Sequence, residues 1–480
     1  MEIKMPLVEK IMEHLGQDRV RFHMPGHKGF LNNSRLEQLL GAKVFQADLT
    51  EIPGLDDLHQ PQGVIGEAET LAAQLFKAEA TFFLVNGATA GIEAAMLAFC
   101  PPRSKVLVPR IAHKSVLNGL ILSGAVPVYL ESKITAAGIF LPPREEDIIS
   151  ALRENKDITA LCLTNPTYLG LAGKLGEIRE IACRSKQRLI VDEAHGAHFY
   201  FHTAFPPSAL ELKADAVVHG THKTLGSLTQ TAMLHLSKAE DKIKIREALG
   251  LVQSTSPSYI LLASLDACRH RLEAGNINYG KTVELAQYAR DEINKLKGFW
   301  CLGAEVQQLG LNYDPTKLVI GCRQMSGYKL EQILRLKYQI DLEMAKEFYV
   351  LAMVTINDQE QSIGQLITAL KEISQIYRTN DSRLSGLDYL SLTEGYPLPK
   401  VIVPPREAFF SSSKKVPWFQ AQGQVCGETI IPYPPGIPLI CPGELIDANL
   451  MEAIAKLKAF KIQWQGLSDP ELKTVRIIDN

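Results

Sequence analysis

RLIVDEAHGAHFYFHTAFPPSALELKADAVVHGTHKTLGSLTQTAMLHL, residues 188–236, decides how this chain folds. RLIVD (188–192) and DAVVH (215–219) are short apolar runs, and each stops at a residue with chemistry, Asp192 and His219. Such runs, bounded by polar and turn residues, read as strands buried on both faces. TAMLHL (231–236) follows after a turn rather than a helix. Upstream the same texture repeats in TFFLV (81–85), KVLVP (105–109), VPVYL (126–130) and ITALCLT (158–164). Helical patterns fall between them, at 64–77, after residue 87 and from about His113. Strands alternating with helices predict an α/β fold, a mostly parallel sheet covered by helices on both faces. In such sheets the functional site lies at the carboxyl ends of the strands.

After a helix at about 280–297 the pattern changes. KLVIG (317–321), a helix near 328–337, YVLAMVT (348–354) and a helix at 360–376 predict a smaller C-terminal α/β domain. Residues 378–398 read as a polar loop, and IIPYPPGIPLICPGE (430–444) as a rigid, packed, extended segment. The expected division is an N-terminal segment with interface loops (1–63), a major domain (64–300) and a small domain (301–480).

The 480 residues are 46% hydrophobic and 22% charged, with a formal net charge of -2. Enough apolar material is present for a large core, and no basic excess points to nucleic acid or a membrane surface. The N-terminus has no apolar run like a signal peptide, and no stretch of about 18 apolar residues occurs. The eight cysteines form no CxxC pair and mostly sit in apolar runs, as expected of small buried side chains in the cytoplasm.

Three clusters carry chemistry. In the first, Asp192 ends a buried strand, followed by Glu193, His195 and His198. An acid there either caps a turn or aims at a ligand. In the second, Lys223 lies in GTHKTLGS among small and hydroxyl residues, including Gly220 and Thr221. A lysine in a loop is usually a solvated charge, but a desolvated amine loses part of its pKa and attacks aldehydes. In the third, FLVNGATAGIEAAM (83–96), a helix begins near Ala88 or Thr89 and offers N–H groups to a phosphate. Together they supply what pyridoxal 5'-phosphate needs: a phosphate seat, an anion for the pyridine nitrogen and an amine for the aldehyde.

These residues also resemble a known family. FHMPGHKG (22–29), LDDLHQPQGVI (55–65), PRIAHKS (109–115), TNPTYLG (164–170), VDEAHGAH, THKTLGSLTQ, TSPSYILLASLD (255–266) and YPPGIPLICPGE (433–444) occur in order. The set is similar to the Orn/Lys/Arg decarboxylase family of pyridoxal-phosphate enzymes with the aspartate-aminotransferase-type fold. It most resembles the short members without an N-terminal wing domain. The resemblance implies decarboxylation of arginine, lysine or ornithine in polyamine metabolism. It implies that Lys223 binds the cofactor as a Schiff base and that Asp192 pairs with the pyridine nitrogen. It further places His113 on the cofactor ring, His195 beside it, and Gly87, Ala88, Thr89 and His222 at the phosphate. Glu428 is then the expected contact for the substrate's distal cation. Ser256 is expected to reach the partner's site in a homodimer or larger homo-oligomer with shared active sites. Family members often carry hydroxyl residues at positions 88 and 220, where this chain has Ala88 and Gly220. Thr221 or backbone groups are expected to substitute.

Three other functions compete. Asp192, His195, His198 and His202 suit a metal hydrolase by residue type, but a strand end plus loop does not put them on one face. An aminotransferase on the same fold would use a small-domain arginine such as Arg323 for the substrate carboxylate. A silent binding protein would not need both Lys223 and Asp192.

Overall fold

The computed structural model describes residues 3–377, 388–393, 395, 398–433, 436–458 and 463–479. Most of the loop expected at 378–398 lies outside them. Within its described part, Leu392–Thr393 pairs with Ile134–Thr135.

Seven strands make the large sheet: β1 (Ala80–Leu84), β2 (Lys105–Pro109), β3 (Val126–Leu130), β4 (Ile158–Thr164), β5 (Arg188–Asp192), β6 (Ala216–His219) and β7 (Ala232–Leu236). Their order is β1-β7-β6-β5-β4-β2-β3. Neighbours from β6 across to β3 run parallel, whereas β7 lies antiparallel between β6 and β1. The connection before TAMLHL, expected as a turn, holds only the four-residue helix Thr221–Thr224, which is too short for a parallel crossover, so the strand returns antiparallel. β1 and β7 are buried at every position, as expected for strands covered on both faces. Two apolar clusters lie on the two sides of the sheet, one around Phe83, Leu161 and Val217, the other around Phe82, Met96 and Val218. Alternation along each strand divides these residues between the clusters.

The covering helices include α1 (Pro6–Leu15), α2 (Val64–Leu75), α3 (Gly87–Phe99) and α4 (Lys114–Ser123). Proline opens α1, where its missing N–H has no intrahelical partner to lose. His113 caps α4, and Gly124, in the left-handed region at φ 74°, ends it. Leu7 and Ile11 of α1 join the main core, so the N-terminal segment is packed on the large domain.

A second sheet has the order β8-β9-β11-β10, built from β8 (Phe299–Cys301), β9 (Lys317–Cys322), β10 (Met344–Ala345) and β11 (Tyr349–Met353). Its core includes Leu318, Ile320 and Leu370. Residues 416–477 surround another core, with Ile430, Ile440 and Ile454 at 0% exposure. The span 301–480 thus contains more than one packed unit. Leu439, Ile440 and Cys441 are buried, as expected of the proline-rich segment. Residues 434–435 lie outside the description. Among the described residues all cysteines are free, and Cys183 is the exposed one.

Candidate active site

A cavity of about 560 Å³ opens at the carboxyl ends of the large sheet's parallel strands, against the second sheet. Each strand end delivers one part of it. Beyond β1 come Gly87, Ala88 and Thr89, beyond β2 His113, beyond β4 Tyr168, at the end of β5 Asp192 and His195, and beyond β6 His222 and Lys223. The smaller domain contributes Tyr328, Lys346 and Glu347.

Strand alternation separates two adjacent acids. Asp192 lines the cavity and accepts the Ala194 N–H at 3.1 Å. Glu193 turns the other way and is fully buried. It accepts from the Ser208 hydroxyl at 2.7 Å and the Ala209 N–H at 2.8 Å, and meets His219 Nε2 at 2.7 Å. Glu193 is therefore an internal brace.

The short helix α5, Thr221–Thr224, carries Lys223. Its Nζ lies 2.9 Å from His195 Nε2. Burial lowers the Lys223 pKa, while Asp192 and Glu343 oppose that fall. Burial likewise holds the His195 pKa well below its ordinary value, helped by Lys223, Lys317, His113 and His222. The Tyr168 ring packs on His195 at a centroid distance of 4.5 Å. His113 Nδ1 accepts the Ser115 N–H at 3.2 Å, which leaves Nε2 for the proton of the neutral ring. His222 Nδ1 lies 2.7 Å from the Thr231 carbonyl and must donate to it. Its Nε2 is then the edge left to meet a ligand.

The other expected site residues lie elsewhere. The hydroxyl of Thr221 joins a buried chain with Ser227 and Thr231. Glu428 is 1% exposed in the C-terminal unit. It accepts the N–H groups of Ser468 at 2.7 Å and Arg476 at 2.9 Å, so both oxygens are held away from the cavity. Ser256 is exposed, and its N–H donates to Ser254 Oγ at 3.1 Å. Arg323 does not line the cavity either. His198 faces Asp314 at 3.0 Å, and among the described residues no three metal-ligating side chains gather into one group.

Gly220 has a steric cause. A Cβ there would come within 2.7 Å of the Ala194 carbonyl oxygen and 3.2 Å of Lys223 Cδ. A serine or threonine would push against backbone that positions Asp192 and His195.

Sequence reasoning missed Lys317, Tyr168, Lys346 and Glu347. It also missed the clamp behind His113. Arg110 reaches Glu444 with two hydrogen bonds, at 2.6 and 2.8 Å, and donates to the Leu439 carbonyl at 2.8 Å. Its guanidinium stacks on Tyr129 at 4.8 Å. Burial works against the Arg110 charge, and Glu444 together with Cys441 and Tyr129 more than offsets it. Glu444→Ala strands that charge and is expected to cost about 3–5 kcal/mol of stability in urea unfolding. An unchanged midpoint and slope would remove the clamp from this account.

A lysine amine, a carboxylate on the adjacent strand and a helix start line one cavity of a mostly parallel sheet. Comparison with known proteins gives the family. The model of the Orn/Lys/Arg decarboxylase major domain matches residues 5–310, and that of the family's C-terminal domain matches 394–469. An arginine decarboxylase of Bacillus anthracis is 35% identical, covering 98% of this chain and 97% of its own. The lysine decarboxylase LdcA of Pseudomonas aeruginosa is 26% identical over 92% of this chain and 73% of its own. The crystal structure of a Francisella novicida lysine decarboxylase superimposes with a TM-score of 0.86 at 22% identity, over 100% of this chain and 82% of that one. The chain belongs to the Orn/Lys/Arg decarboxylase family, and it is a decarboxylase of a basic amino acid. Among the described residues no helix is long and apolar enough to cross a membrane.

Proposed function

We propose that the chain decarboxylates arginine to agmatine, with pyridoxal phosphate held at Lys223, as a step toward polyamines. The observation that carries the reading is the Lys223 amine, buried in the same cavity as Asp192 and the start of α3. Near full-length identity of 35% to proteins named arginine decarboxylase favours arginine over lysine and ornithine.

The side chains suit that cofactor. Asn86 makes no side-chain cap on α3, so the N–H groups of Ala88 and Thr89 are available to a phosphate, while that of Gly87 donates to the Gln230 carbonyl at 2.8 Å. Gly87, at φ 75°, would carry a Cβ into open space, so nothing crowds that approach. His222 Nε2 donates to the phosphate once the ring is protonated, since Nδ1–H is already given to the Thr231 carbonyl. Asp192 supplies the anion for the ring nitrogen, and His113 and His195 are the ring's neighbours. When bound, pyridoxal phosphate supplies an electron-poor ring that accepts the electrons released as carbon dioxide leaves. Asp192 stabilises that charge shift by its position. Lys223, next to His195, is placed to return a proton to the substrate's Cα.

Among the described residues, Asp192 and Glu347 are the acids that line the cavity. With Asp192 assigned to the cofactor, Glu347 takes the distal guanidinium, the role expected of Glu428. A charged hydrogen bond of this kind contributes about 1.5–3 kcal/mol. Glu347→Gln is therefore expected to raise KM for arginine roughly 10- to 100-fold with kcat nearly kept. An unaltered KM would return the question to a partner subunit.

The exposed Ser256 and the exposed Phe22 and Met24 of the FHMPGHKG segment favour a homodimer or larger assembly with shared sites, and the free cysteines among the described residues favour the reducing cytoplasm. The deciding experiment offers arginine, lysine and ornithine to purified protein with the cofactor and no keto-acid acceptor. Carbon dioxide and agmatine from arginine support the reading. A keto acid, or no amine from any of the three, overturns it.

A further inference from the structure

The turn between β10 and β11 carries two opposite charges side by side, Lys346 and Glu347, and both line the cavity. Its backbone is pinned. The Lys346 N–H donates to the Tyr349 carbonyl at 2.8 Å, and the Glu347 carbonyl accepts the Gly327 N–H at 3.0 Å. Gly327 opens the helix Gly327–Tyr338, and any Cβ on it would strike the Lys346 and Tyr349 carbonyl oxygens. The helix start therefore rests directly on the turn, and the two charged side chains leave from a fixed backbone.

Charge matching sets what Lys346 can meet. Among the described residues, Lys223 and Lys346 are the lysines that line the cavity, and no arginine does. Burial lowers the pKa of His113, His195 and His222, so none of these rings is a standing cation at neutral pH. Burial also brings Lys346 down to about 8, which keeps most of it as the ammonium at neutral pH. A cation that has given up part of its hydration gains more from an anion than one in bulk water. Asp192 and Lys223 are given to the cofactor and Glu347 to the guanidinium. The substrate's own anion, its α-carboxylate, is the group left for Lys346.

We propose that the Lys346 ammonium holds the substrate's α-carboxylate while Glu347 holds the distal cation, so that one turn reads both ends of the amino acid. No bond forms or breaks at Lys346. The carboxylate becomes neutral carbon dioxide as its charge passes to the cofactor ring, so this contact belongs to the ground state and weakens toward the transition state. The product amine keeps the distal cation and lacks the anion. Lys346 then faces like charge, which favours release and lets the cavity prefer substrate over product. The inference rests on Lys223 as the cofactor lysine. It does not rest on arginine as the preferred substrate, because arginine, lysine and ornithine share the carboxylate.

Steady-state kinetics of the full-length holoenzyme with arginine, and its inhibition by agmatine, test the contact. Lys346→Met is expected to raise KM for arginine about 10- to 100-fold, the usual worth of a charged hydrogen bond, without lowering kcat. The inhibition constant of agmatine is expected to stay at or below its native value. Lys346→Arg, which keeps a cation for the carboxylate, is expected to hold KM within a few-fold of native. Glu347→Gln separates the two ends, since it should weaken arginine and agmatine together. A KM in Lys346→Met less than about tenfold above native, a kcat clearly below native, or an agmatine constant that rises in step with KM overturns the proposal. If neither Lys346 variant folds, the native holoenzyme decides with argininamide, whose carboxylate is replaced by a neutral amide. An inhibition constant within about tenfold of the KM for arginine overturns the proposal, and a weaker one supports it. A native chain that decarboxylates none of the three amino acids fails the functional reading itself, and the contact with it.

Discussion

A Lys223→Ala chain is expected to release no carbon dioxide from arginine above about one part in ten thousand of the native rate. Removing the reacting nucleophile of a covalent mechanism costs rates on that scale or more. The near-visible absorbance of bound pyridoxal phosphate should vanish with it. The fold should not, because the Lys223 side chain lines a cavity rather than filling a core. Burial also disfavours its ammonium, so at neutral pH its removal relieves an electrostatic cost. A thermal midpoint within a few degrees of native, together with lost turnover and lost absorbance, is the expected combination. Retained absorbance would move the cofactor to another amine, with Lys346 and Lys317 the nearby choices. Retained turnover would end the covalent reading.

Asp192→Ala is expected to behave differently. It keeps the amine and the start of α3, so the cofactor still binds. Turnover should nevertheless fall roughly 10²- to 10³-fold, the usual cost of removing one fixed charge from a site where charge develops. The loss should appear in kcat and kcat/KM alike, because the carboxylate acts mainly in the transition state. Asp192→Asn separates charge from shape, since an amide can hold the Ala194 N–H without supplying the anion. Near-native kcat in Asp192→Asn would show that the negative charge is not what the site needs. Stability measurements accompany both variants, since Asp192 is 6% exposed.

The sequence read well where the cavity lining follows local order along one strand and its loop. Asp192 at the end of RLIVD and Lys223 after DAVVH are visible because a parallel sheet sends its strand ends to one edge. His113 reads likewise as the residue before a helix, and it is the N-cap of α4. What stayed hidden needs distance in sequence and closeness in space. Lys317 looks like the polar first residue of an apolar strand, KLVIG, and nothing local says that its amine meets a histidine 122 residues earlier. The hint was its position, since a lysine opening a strand buried at every position has no water to reach. Glu347 sits in a charged stretch that resembles any surface turn. Glu428 went astray for a related reason. An acid next to a motif is read as part of it, but the burial of Glu428 reflects N–H groups from residues 468 and 476, which no local pattern foretells. Gly220 looked like a lost hydroxyl, whereas it answers to the Ala194 carbonyl across the site.

The bidentate contact between Arg110 and Glu444 spans 334 positions. During synthesis, at about 5–20 residues per second, the first partner waits roughly 20–70 seconds for the second to leave the ribosome. The Arg110–Glu444 contact beside His113 therefore cannot form before residue 444 has been made. A polypeptide released before residue 444 would carry Lys223 and His113 without that contact beside them.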